Sequence, residues 1–178
     1  MTPGLAFANA MDNFRIPVGL LIALDNRPYH FALQPYQFFI RATHVFSVCM
    51  FFGLIFALDL RLLGLAREIP LRALARLVLP WVYASFAVAM LSGIALFMYD
   101  PVAVGSHDWL TPKLFFIALG FCNAAWFNFA YLPAQLATDH GLTRAGKFAA
   151  ATSIALWTLA IFCACLNAEP PPRLYIGS

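Results

Sequence analysis

The 178-residue chain is 62% hydrophobic and 11% charged, with a formal net charge of +3, whereas a soluble domain carries about a quarter charged residues. That composition excludes a soluble fold. The apolar residues gather into runs of about 20 or more, enough to cross about 30 Å of hydrocarbon at about 1.5 Å per residue. Four runs qualify, so the sequence predicts an all-α membrane protein with four transmembrane helices in a bundle.

Residues 1–35 precede the first run. Within them Ile16-Pro17-Val18-Gly19-Leu20-Leu21-Ile22-Ala23-Leu24 is apolar but too short to span. Asp12, Arg15, Asp25 and Arg27 bracket it and no small-residue cleavage site follows, so it reads as an interfacial or re-entrant segment rather than a signal peptide or a fifth span. The transmembrane domain is expected over 36–168, with spans at 36–64, 71–99, 112–138 and 148–167. Residues 169–178 form a tail. The short connections leave no room between spans for a soluble catalytic domain, and a non-enzymatic protein is expected, with no catalytic set and no metal site.

Local punctuation supports these spans. Pro70 opens the second helix, Thr111-Pro112 reads as an N-cap followed by proline at the first helical position, and Gly141 marks the turn before the fourth span. Pro80 lies inside the second span, where it should kink the helix and free a carbonyl. Gly53, Ser92, Gly93, Ala149, Ser153 and Ala160 are small enough to let helices touch. The remaining surface is rich in phenylalanine, with 18 copies. Tyr36, Tyr99 and Trp109 suit an outer aromatic belt, and Trp81 and Tyr83 lie near the inner interface. Cys49, Cys122, Cys163 and Cys165 all fall inside spans as small hydrophobes. Cys163 and Cys165, two apart on a helix, point to nearly opposite sides and cannot form a redox pair.

Arg61, Arg67, Arg72 and Arg76 surround the first connection and Arg144 and Lys147 the third, while the second has Lys113 beside Asp100 and Asp108. Positive loops stay inside, so both termini are expected on the outer side, although Arg15, Arg27 and Arg41 reduce the asymmetry.

Few side chains inside the spans can carry chemistry. His44 lies about 12 Å below the outer start of its helix, and an ionisable group at that depth is a functional-site hypothesis. It reads either as a haem ligand or as a neutral histidine hydrogen-bonded to another helix. Met90 is roughly level with it and its thioether can ligate haem. His30 and His107 lie in outer segments and His140 in the third connection. Asn123 is within about a turn of His44 in depth and offers a hydrogen bond that needs no cofactor. Asn128, about 7.5 Å deeper, would meet another partner, such as the carbonyl freed by Pro80. Asp59 and Arg61 sit two apart on different faces, so each needs an outside partner. Arg72 or Arg76 could serve Asp59, while other arginines snorkel to headgroups. His107-Asp108 reads as a solvated loop.

The stretch from His44 through Gly53 to Asp59-Leu60-Arg61-Leu62-Leu63-Gly64 resembles a family of small four-helix bacterial inner-membrane proteins of unassigned function. Pro80-Trp81, Ser92-Gly93, Leu96-Phe97, Pro101, Lys113-Leu114 and Asn123 look like that family's later landmarks, in the same order. The family is distantly similar in layout to copper-resistance membrane proteins of the D type and to four-helix b-type cytochromes, where intramembrane histidines bind haem. Asn128 stands where members of the resembled inner-membrane family often carry a histidine near the end of the third helix. The resemblance therefore implies a bacterial inner-membrane protein, and the departure at Asn128 implies a structural component.

The leading expectation is a non-enzymatic subunit that packs laterally in, and stabilises, a larger membrane complex of the respiratory or photosynthetic kind. Its partners would be lipids and other transmembrane subunits, and its apolar exterior can hold quinone, carotenoid or lipid. The alternative is an electron carrier that binds haem b through His44, with Met90 or another subunit as second ligand. A small transporter is a third class, with few polar groups to line a path.

Overall fold

The computed structural model describes residues 15–133 and 143–168, and among these every regular element is helical. Two short helices, α1 (Val18–Leu24) and α2 (Arg27–Leu33), lead through a turn of 3-10 helix into α3 (Gln37–Leu63). Then follow α4 (Leu71–Tyr99), the short α5 (Pro101–Gly105), α6 (Leu110–Ala130) and α7 (Arg144–Ala168). Four helical stretches, the run from Arg27 to the end of α3 and the helices α4, α6 and α7, are long and apolar enough to cross a membrane.

The helix boundaries follow local chemistry. α3 ends at Gly64, whose φ of 107° is left-handed. There the Leu65 amide donates to Leu60 O at 3.0 Å, closing the helix in the way glycine permits. Pro70 stands at the N-cap of α4, and Pro80 lies within that helix, where it withholds one backbone donor. The third span differs from the sequence expectation at its start. It begins at Leu110 with Trp109 as N-cap, and Pro112 falls within the first turn, where a missing N–H costs nothing. The Trp109 amide is taken by Asn167 Oδ1 at 3.1 Å, a tertiary cap that no local pattern announces. α6 ends at Ala130, and the part of the expected span at 134–138 lies outside the described residues, as do His140 and Gly141. α7 starts at Arg144, four residues before the expected Phe148. Thr143 supports that start, its Oγ1 accepting from the Gly146 amide at 3.1 Å.

Packing makes α3 the central helix: it lies along α4 on one side and α7 on the other, while α6 packs along α7. α4 and α6 make no comparable contact, so the ring is left open at their seam. One core cluster, near the first connection, joins Leu58 and Leu62 of α3, Leu71 and Ala75 of α4, Phe127 of α6 and Ala149 and Ala150 of α7. A second joins Phe51, Val78, Val82 and Trp157. In it the Phe51 ring meets Trp157 edge-on at 4.7 Å, a favoured aromatic geometry. Trp157 lies directly over Gly120, where a Cβ would sit 2.9 Å from the indole. Ser92, Ala149, Ser153 and Ala160 are buried as small contact residues, whereas Gly53 is exposed with nothing within 4 Å of an added Cβ. The close approach expected at Gly53 is absent because that face of α3 points away from both packing neighbours.

The N-terminal segment is tied to the second connection. Leu21 of α1, 1% exposed, is seated on Gly105 of α5, Arg15 pairs with Asp108, and the His30 ring stacks on Tyr99 at 4.3 Å.

Candidate functional site

A cavity of about 390 Å³ lies on the open side of the bundle, between α4 and α6. That size falls in the range of small-molecule sites, about 300–1,000 Å³. α3 contributes Phe51, Ile55 and Asp59, α4 contributes Tyr83 and Phe86, and α6 contributes Phe121, Ala125 and Asn128. Ser153 and Trp157 of α7 complete the wall. Two contacts cross the seam: Asn128 Nδ2 donates to Tyr83 Oη at 3.3 Å, and the Phe86 and Phe121 rings stack at 6.2 Å.

Asp59 is the carboxyl group of this cavity. It shares a helical face with Phe51, Ile55 and Leu62, at the i, i+4 and i, i+3 spacings that point toward the core, and is only 4% exposed. The Ser153 side chain of α7 sits beside its carboxyl. Its second oxygen, Oδ2, is buried with no hydrogen-bond partner, the only such side-chain atom among the described residues. Burying a carboxyl without full hydrogen bonding is costly. No ion pair to Asp59 occurs among the described residues. Arg72 and Arg76, which the sequence offered as partners, are exposed at the start of α4, while Asp59 turns toward α7.

The other polar residues picked from the sequence are distributed rather than assembled. Arg61 is buried and braces the first connection, with Nε donating to Ile69 O at 2.7 Å and Nη2 to Arg67 O at 3.4 Å. Asn123 donates to Ala149 O of α7 at 3.0 Å, and Asn128 meets Tyr83 rather than a carbonyl near Pro80. His44 is half-buried against α4, its Nδ1 lying 2.9 Å from Ala89 O and 3.1 Å from Ser92 Oγ. Gly93 makes room for the ring, since a Cβ there would lie 2.9 Å from His44 Cε1. Asn123 and His44 are thus each satisfied by a different helix. Met90 of α4 is 37% exposed. His30 gives its Nδ1 to Tyr99 O at 2.8 Å, and His107 is exposed in the second connection. Cys163 is buried and Cys165 exposed, as their spacing requires. No group of three or more metal-ligating side chains is poised to hold an ion among the described residues.

The pairing of Asp59 with Ser153 and the placing of Tyr83 and Trp157 at one cavity were not legible in the sequence. An acidic side chain inside an apolar span was the available signal. The fold and the four long apolar helices define an integral, multi-pass membrane protein. No protein-family model, curated protein or solved structure matches the chain.

Proposed function

We propose that the chain is a non-enzymatic accessory subunit of a larger complex in the bacterial inner membrane, of the respiratory or photosynthetic kind, where it packs laterally against other transmembrane helices. The observation that carries this reading is the unfinished ring. In a closed four-helix bundle each helix packs along two neighbours, yet α4 and α6 do not pack along each other. Their outward faces carry large apolar side chains, among them Leu77 and Leu91 of α4 and Phe115 and Phe129 of α6, with Phe129 88% exposed. Most interior polar side chains serve the bundle's own backbone, as Ser47, Ser85 and Ser92 do by donating one turn back. The likeness of the His44-to-Gly64 stretch to small inner-membrane proteins belongs to the same reading, as does a periplasmic position for both termini. Native purification of the tagged protein from its own membranes tests it: stoichiometric transmembrane partners are expected, and recovery of the chain alone overturns it.

A second reading, a b-type haem carrier, is favoured by one observation. With a carbonyl as its partner, His44 Nδ1 carries the proton, which leaves Nε2 with the lone pair that imidazole uses to ligate iron. A second ligand would come from Met90 or from another subunit. A reduced-minus-oxidised spectrum of native material checks this, with a haem signal that His44→Ala removes as the expected result.

A further inference from the structure

We infer that the cavity between α4 and α6 is a binding site for a lipid-soluble hydroquinone, whose ring enters from the bilayer and whose hydroxyl hydrogen-bonds the Asp59 carboxyl. Three features select that chemistry. Asp59 is 4% exposed, lines the cavity and holds an oxygen with no hydrogen-bond partner. A buried carboxyl oxygen without a partner favours a ligand that brings a hydroxyl, which can donate as well as accept, and disfavours the methyl ether of that hydroxyl, which cannot donate. The walls around it are aromatic: Phe51, Phe86, Phe121 and Trp157 offer ring faces and edges to a planar head. The seam between α4 and α6 opens sideways, because those helices do not pack along each other. A long apolar tail can therefore stay in lipid while the head is inside. Tyr83 and Asn128, joined across the seam at 3.3 Å, supply exposed polar groups for the far hydroxyl.

This site does not rest on the subunit reading: a chain that purifies alone can still bind the ligand, and a chain with partners can fail to. The whole protein is reconstituted in nanodiscs of phosphatidylethanolamine and phosphatidylglycerol. Binding of a tritiated benzohydroquinone with a decyl tail is then measured under anaerobic, reducing conditions. Saturable binding at one molecule per chain is expected, with the dimethyl ether of the same compound competing at least about tenfold more weakly. Asp59→Leu should erase the difference between hydroquinone and ether. Ala125→Phe, which fills the cavity from α6, should abolish saturable binding of both. Phe39→Ala, on the lipid-facing exterior, should change neither. Circular dichroism and gel filtration establish that each variant is folded, and if Ala125→Phe is not, Asp59→Leu decides alone. The inference is overturned if folded wild-type protein shows only non-saturable uptake, or if the ether binds as well as the hydroquinone. It is also overturned if a photoreactive group at position 125 of natively purified protein crosslinks to a helix of another chain lodged in the seam.

Discussion

At Asp59 the carboxyl has the Ser153 side chain as neighbour and one oxygen with no hydrogen-bond partner, and a buried polar atom left unpaired forfeits about 1–3 kcal/mol. Replacing the side chain by one of similar volume without polar atoms removes that debt, so Asp59→Leu should stabilise the ligand-free protein by up to about 2 kcal/mol. The midpoint of unfolding in rising SDS, followed by far-UV circular dichroism, measures this. A lower midpoint would mean that the Asp59–Ser153 contact holds α7 to α3 more strongly than the orphan oxygen loosens it. The opposite sign is expected at Gly93. Its missing Cβ is occupied by the His44 ring at 2.9 Å, and the ring is fixed by Ala89 O and Ser92 Oγ, so it cannot move without breaking a hydrogen bond. Gly93→Ala should therefore cost about 1–3 kcal/mol, in the same assay. Much less should be lost when His44→Ala is already present, since the clash and the bond disappear together.

Among elements, the join between α3 and α4 is the most completely determined by neighbouring residues. Gly64 adopts a φ of 107° and its added Cβ would lie 3.1 Å from Arg67 Nη2, so Gly64→Ala should destabilise by about 1–2 kcal/mol. Thermal melting of the purified protein in detergent checks this, and an unchanged melting temperature would show that the turn relaxes freely. This join was readable in the sequence because its determinants are local: glycine after an apolar run, then proline at position 70. The start of α6 was not readable, since Trp109 is capped by Asn167 from the far end of the chain. The start of α7 was missed for a different reason. Arg144 and Lys147 are helical but charged, so a criterion of hydropathy cuts the helix at Phe148. The site divides in the same way. That Asp59 needs a partner from another helix follows from its place in an apolar span, but Ser153, Tyr83 and Asn128 reach the cavity only through the order α4, α3, α7, α6 around the ring, which periodicity does not encode.

For the whole molecule, the same contacts that fasten the N-terminal segment also decide which ends of the bundle share a side. Leu21 on Gly105, Arg15 with Asp108 and His30 on Tyr99 bring residues 15–36 and the second connection together, and the Trp109–Asn167 bond adds the end of α7. The opposite end gathers Arg61, Arg67, Arg72 and Arg76 of the first connection with Arg144 and Lys147 at the start of α7. Cationic residues in short loops are retained on the cytoplasmic face because moving them across the membrane is unfavourable. The fold joins the weakly cationic N-terminal segment to Asp108, so Arg15 is paired with an acid rather than adding to an opposing cationic cluster. In a background whose native cysteines are replaced, Ser106→Cys should react with a membrane-impermeant maleimide in spheroplasts of the expressing bacterium. Glu68→Cys should react only after the inner membrane is permeabilised. Both positions are exposed, so their reactivities differ through sidedness rather than burial. The reverse labelling pattern would place the arginine-rich end outside, and the positive-inside argument would then fail for this chain while the packing that joins its ends stood unchanged.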